Sequence, residues 1–177
     1  MARIPCADLS NPEIRPVADR IVAERGGILH LYQMLLHSPP VATGWLGYLT
    51  AIRHLSGLSG AMRELVIMRI AILNGAPCEA EQHAPIGLKE GMTQAQLDTL
   101  DKWKSSDCFD SQARAVLANT DAMTRNVNVS KEIFDAVSAS LTPRLLVELT
   151  ATIAVYNMVS RFLEALQIHS SDPVPTS

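Results

Sequence analysis

The 177-residue sequence is poor in cysteine, in aromatic residues and in charge. Its three cysteines, Cys6, Cys78 and Cys108, are odd in number and show no C-x-x-C spacing. That excludes a secreted disulfide framework and a zinc knuckle. Charged residues make up 19%, with 15 Lys plus Arg against 18 Asp plus Glu, a net charge of −3 and no basic run. Binding that rests on neutralising phosphates is not expected, so no nucleic-acid partner is assigned. The N-terminus, MARIPCADLSNPEIRP, lacks the apolar stretch of a secretory signal. The most apolar window, Leu145 to Ser160, carries Glu148 and is too short and too polar to span a bilayer. A cytoplasmic protein with no membrane partner is therefore expected. No segment alternates apolar and polar residues as a half-buried strand would.

What is present is aliphatic. Hydrophobic residues reach 47% and mean hydropathy is +0.12, too apolar for a disordered chain and sufficient for a core at this length. Apolar residues recur at three- and four-residue spacing along nearly the whole chain, which predicts an all-α fold. Helices are expected from Pro12 to Arg25, Leu29 to His37 (stopping before Pro39-Pro40), Val41 to Leu55, Ser59 to Leu73 and Pro77 to Gly91. Four more are expected from Thr93 to Lys104, Ser111 to Arg125, Ser130 to Ser140, and from the Thr142 cap and Pro143 to Ile168. Residues 1–170 read as a single domain, and 171–177 as a loose tail. A faint internal echo relates Leu58-Ser59, Glu64-Leu65, Ile70-Ala71 and Asn74 to Leu141-Thr142, Glu148-Leu149, Ile153-Ala154 and Asn157.

The residues able to carry chemistry cluster in two consecutive helices. Glu64 lies in RELVIMRIAIL, an apolar helix whose one-turn neighbours Gly60, Ala61, Ile67 and Met68 cannot neutralise a carboxylate. Desolvation would raise its pKa and make it a proton donor or relay; the alternative is a structural ion pair with Arg63, Arg69 or an arginine from elsewhere. In the next helix, Cys78 and Glu79 follow Pro77, where free backbone N–H groups favour a thiolate and an ionised carboxylate. His83 lies one turn after Glu79, so the two form a potential acid/base pair, with helix capping as the plainer alternative. Glu79 and His83 would supply two ligands of a metal site. No second such pair exists, and His30, His37, His54 and His169 are scattered, so neither metal nor cofactor is assigned.

The run LSGAMRELVIMRIAILNGAPCEAEQHAPIGLKEGMT, together with the later VYNMVSRFLEAL, resembles the signature of the carboxymuconolactone decarboxylase and alkylhydroperoxidase D-like superfamily. The resemblance covers roughly Ser38 to Ile168. It implies an all-helical fold built from a repeated helical unit, assembling as dimers, trimers or hexamers. The family's peroxidases use a C-x-x-C pair with a His four residues after the second Cys and a Glu fifteen before it. Carried over, these become His83 and Glu64, whereas Ala76 and Glu79 stand in the two thiol positions. Cys78 is one residue out of register, about 100° around the helix.

The missing thiols direct the functional expectation. The leading reading is a carboxymuconolactone decarboxylase-like enzyme in which Glu64, Glu79 and His83 perform acid/base chemistry on a small carboxylated or lactone-like substrate. In its most specific form, Glu79 fixes the His83 tautomer and Glu64 relays protons from behind. One alternative is a peroxiredoxin-type thiol peroxidase using Cys78 and an external reductant. The other is a non-catalytic homo-oligomeric binding protein. An apolar surface on the last helix, at Leu145, Leu149, Ile153, Tyr156, Val159, Leu163 and Leu166 with more at its sides, predicts a homo-oligomer.

Overall fold

The computed structural model describes residues 2–169 and 172. The tail expected at 171–177 lies, apart from Asp172, outside the described residues. Among these residues the chain is all-helical: α1 (Arg15–Arg25), α2 (His30–Leu35), α3 (Pro39–Thr50), α4 (Gly60–Asn74), α5 (Pro77–Lys89), α6 (Gln94–Thr99), α7 (Ser111–Asn126), α8 (Lys131–Ser138) and α9 (Pro143–Leu166). Two irregular turns extend this set. A π-helical turn, Ala51–Leu55, continues α3, and a 3₁₀ stretch, Leu100–Ser105, continues α6.

Local chemistry sets most of the boundaries. Ser59, Asp110, Ser130 and Thr142 each cap a helix by accepting a backbone N–H three residues on. Thr93 and Gln96 form a reciprocal capping box at the start of α6. Pro39 and Pro40 begin α3, although the sequence reading placed both before it. The first turn of a helix has no use for the N–H that proline lacks, so the pair is accommodated there. The first helix starts later than expected because Asn11 Oδ1 takes the Glu13 N–H in a local turn.

The core forms around α4 and α9, which pack against each other, with α5 and α7 against α4. Leu149, Ile153, Val66, Ile67 and Ile70 are buried at this contact, and each such side chain contributes roughly 1.5–3 kcal/mol of burial free energy. At one end, Asn74 Nδ2 donates to Asn157 Oδ1 at 3.1 Å, joining the two asparagines of the sequence echo. At the α7 side, Arg69 grips Asp121 through Nε (2.6 Å) and Nη2 (2.8 Å), while its Nη1 donates to the Leu100 carbonyl. A second apolar cluster joins α1, α2 and α3 through Ile21, Tyr32, Leu36 and Leu46. The most apolar window proves to belong to a 24-residue helix, so by length and composition α9 is able to cross a membrane. The expectation that it is too short is corrected on that point. In this fold it serves as the central core helix, with Leu149, Ile153, Tyr156, Val159 and Leu163 buried within the chain.

Candidate functional site

The site is assembled by the α4–α5 hairpin. Gly75 closes α4 in the left-handed conformation (φ 62°), which lets the chain reverse within Asn74–Pro77. The two helices can then lie close together. A Cβ on Gly87 would meet Met92 Sδ at 2.9 Å and make ordinary contact with Glu64 Cβ at 3.6 Å, so the absent side chain leaves room for Met92 beside Glu64. His83, one turn before Gly87, is placed against α4. Its Nδ1 lies 2.6 Å from Glu64 Oε2, and Glu64 is fully buried. The other carboxyl oxygen of Glu64 accepts from Arg63 Nε at 3.2 Å.

This arrangement reverses one sequence expectation. Burial does push the Glu64 carboxyl up, but the His83 hydrogen bond and charge, with Arg53 and Arg63, outweigh it and hold the pKa below the usual carboxylate value. Glu64 is an anion that orients His83, and the Arg63 ion pair coexists with that role. The neighbour that matters is nineteen residues away in sequence, beyond a reading limited to one helical turn.

Glu79 also departs from expectation. It is 3% exposed, and no hydrogen bond joins it to His83. Its Oε2 meets the Ser160 hydroxyl on α9, and its Oε1 has no partner among the described residues. Burial, with a smaller contribution from the Glu164 charge, raises its pKa to about 8 despite the hydrogen bond with Ser160. A helix start stabilises an anion where its N–H groups reach it, and the hydrogen bond this carboxyl makes is instead to Ser160. Glu79 is therefore a neutral acid at pH 7, and Glu64, not Glu79, fixes the His83 tautomer. Cys78 is corrected in the same way: burial first, then the charges of Glu81, Glu164 and Glu79, raise its thiol pKa and keep it protonated.

Both acid/base residues line one cavity of about 200 Å³, enclosed by the α2 region, the turn after α3, α5 and α9. Besides Cys78, Glu79 and His83, its wall includes Tyr32, Arg53 and Tyr156. Tyr156 meets the His83 ring edge-on, with centroids 5.3 Å apart, and its phenol pKa is pushed up to about 12, mainly by burial. Arg53 Nη1 donates to that phenol at 3.3 Å. No carboxylate among the described residues lies within ion-pair distance of Arg53, which leaves a cation facing the cavity. The π-helical turn presents it there, since one extra residue per turn rotates the side chains that follow. Sequence reasoning missed Arg53, Tyr156, Ser160 and Tyr32. The one usable sequence signal was Ser160, a hydroxyl within the apolar run VYNMVSRFL; the structure buries it fully.

Two comparisons relate the chain to known proteins. Residues 39–122 match the carboxymuconolactone decarboxylase family. The chain also shares its fold with the alkylhydroperoxidase AhpD core of an uncharacterized peroxidase-related protein from Ralstonia eutropha JMP134 (TM-score 0.80, 18% identity, covering 97% of this chain and 93% of that one). An uncharacterized peroxidase-related protein from Silicibacter sp. TM1040 is similar (TM-score 0.78, 14% identity, 93% and 88% covered). So is a cysteine-to-alanine variant of the debrominase Bmp8 in complex with 2,3,4-tribromopyrrole (TM-score 0.78, 17% identity, 94% and 92% covered). No curated protein matches the chain by sequence.

Proposed function

We propose that this chain, which belongs to the carboxymuconolactone decarboxylase and alkylhydroperoxidase D-like superfamily, is an enzyme that moves protons beside a carbonyl in a small carboxylated or lactone-like substrate. The observation that carries this reading is the 2.6 Å hydrogen bond between buried Glu64 and the His83 ring on the cavity wall. An anionic Glu64 holds the imidazole proton on Nδ1 and leaves Nε2 to exchange a proton with a ligand. Glu79 supports the complementary role. Its pKa and that of Glu64 are displaced in opposite directions, the pattern that separates an acid from a base within one site.

In an isomerisation, His83 Nε2 takes a proton from the carbon beside the carbonyl while Glu79 protonates the carbonyl oxygen, giving an enol. Returning a proton to another carbon and the oxygen's proton to Glu79 completes the cycle. In a decarboxylation, the C–C bond breaks and neutral carbon dioxide leaves, while the bonding electron pair passes into the adjacent carbonyl, whose oxygen takes the Glu79 proton to give an enol; the carbon then takes a proton that His83 draws from solvent, and the enol oxygen returns its proton to Glu79. Arg53 receives a carboxylate of the substrate through a charge-assisted bond. Thiol peroxidase chemistry is less well supported, because Cys78 is buried and protonated and Ala76 and Glu79 occupy the family's thiol positions. We further propose that the protein acts as a homo-oligomer.

The test is to incubate the protein in D₂O with small 3-oxo acids and carboxylated butenolides, following deuterium incorporation and carbon dioxide release by NMR. Turnover of at least one compound is expected. His83→Ala should lower it on the order of 10²-fold or more, and Glu64→Gln by a comparable factor with folding preserved. Turnover unchanged in His83→Ala would refute the assignment.

A further inference from the structure

We infer that the cavity takes an amphiphilic acid: its carboxylate bonds Arg53, the carbon that exchanges a proton lies beside His83, and an apolar alkyl substituent extends along α9 towards Leu163. The inference rests on reading the cavity as the substrate site. It adds the class of ligand selected there, a small carboxylate or carboxylated lactone with an apolar tail, in preference to a uniformly polar acid.

The polar end of the cavity is fixed by contacts that meet at one residue. Tyr156 accepts from Arg53 Nη1 at 3.3 Å and meets the His83 ring edge-on with centroids 5.3 Å apart, so the cation and the imidazole both touch one side chain of α9. The second guanidinium of the wall, on Arg25, is engaged differently: its Nη2 donates to Thr50 Oγ1 at 2.7 Å and its Nη1 lies 3.2 Å from His54 Nε2. Arg53, bonded to a neutral phenol, is the cation placed beside the proton-exchanging ring to receive a carboxylate.

From Tyr156 the wall turns apolar in one direction. Val159 and Leu163 follow Tyr156 by three and seven residues, the spacing of one helix face, and all three line the cavity. At 1.5 Å per residue, Leu163 stands about 10 Å along α9 from Tyr156. His83 meets Tyr156 and Glu79 meets Ser160, so α5 runs antiparallel to α9 and Leu163 lies beyond Glu79 as seen from His83. Leu49 and Leu31 line the same space; Leu49 belongs to one apolar cluster with Val159 and Leu163, and Leu31 packs against it. Glu79, the carboxyl among the lining residues, is held neutral by burial and bonded to Ser160, so it sets no charge against a hydrocarbon. A polar substituent directed along this path would lose water without gaining partners from the leucines and valine, whereas an alkyl group gains burial with each methylene. The volume of about 200 Å³ limits how long that group can be.

Isothermal titration of straight-chain carboxylates, propanoate to octanoate, against the full chain tests this. Affinity should rise about three- to fourfold for each added methylene until the cavity is full, then level off or fall. Arg53→Gln should weaken every member by a common factor of about ten or more and leave the rise per methylene unchanged. Leu163→Phe and Val159→Ile should each move the best-bound acid to a shorter chain. The second adds a single methyl group, so it decides the matter if Leu163→Phe no longer melts as the wild type does. An affinity that ignores chain length overturns the inference, as does a series in which no member binds. So does a best length that is unchanged in every variant that folds, or a rise per methylene that disappears in Arg53→Gln. The outcome is separable from the proton-transfer reading. Length-dependent binding in a protein whose turnover ignores His83 would remove that reading alone, and His83-dependent turnover in a protein that binds all these acids equally would remove this one alone.

Discussion

Glu79 is desolvated by burial on folding and gains, among the described residues, one hydrogen-bond partner, Ser160. Its ordinary carboxyl value of 4.5 applies in the unfolded chain, and the value of about 8 in the folded one. Between those limits the native state holds the extra proton, so this residue favours folding least at high pH: its contribution falls as pH rises from 4.5 towards 8, by up to about 1.4 kcal/mol per unit. Glu79→Gln removes the titration. The variant should gain stability relative to wild type steadily from pH 5 to 8 in urea denaturation, and a constant difference across that range would mean that the folded carboxyl is already ionised. The same proton sets the upper limit for acid catalysis, so wild-type turnover should decline above about pH 8. Of these residues, Glu64 and His83 stood together in the sequence reading only through the superfamily signature, which makes them a proton-handling pair. Their direct hydrogen bond crosses between two helices and leaves no local spacing to read. Tyr156 was read as one residue of the apolar stripe of α9, and Ser160, four residues on, was not singled out. Tyr32 and Arg53 left no pattern at all, since a cavity is a property of packing and not of spacing.

Among the elements, the α4–α5 hairpin governs the site, and its start, stop and turn were all readable: Ser59 as cap, Asn74-Gly75 as stop, and Pro77 in the first helical turn. The contact at Gly87 was not readable, because a helical glycine looks like any weak helix former until the neighbouring helix is known. Gly87→Val should force Met92 and Glu64 away from α5 and destabilise the protein by roughly 1–3 kcal/mol in urea denaturation. Stability at or above wild type would mean that α5 stands off from α4. The internal echo gains physical content at this scale. Ser59 and Thr142 cap α4 and α9 in the same manner, and Asn74, the last residue of α4, bonds to Asn157 within α9. The one-residue slip in the echo is confined to Glu64-Leu65 against Glu148-Leu149, and the register of the capping positions returns at Ile70-Ala71 against Ile153-Ala154.

For the whole molecule, the apolar stripe of α9 that motivated an oligomer is largely consumed by the chain's own core. A narrower face remains: Val147, Ala154 and Met158 project from one side of α9, with Val147 69% and Met158 39% exposed. Burial of that face against a second copy is the basis for expecting a mass above 19.2 kDa by light scattering at micromolar concentration. A mass equal to that of one chain would leave the face uncovered and refute assembly. The cavity has a consequence for how such a protein can diversify. Its proton-handling residues and Arg53 lie inside the family-matched segment 39–122, whereas Tyr32 precedes that segment and Tyr156 and Ser160 follow it. Inheritance can therefore act on the two parts separately: a lineage that keeps the central segment and redrafts its flanks retains one reaction while acquiring a different diet.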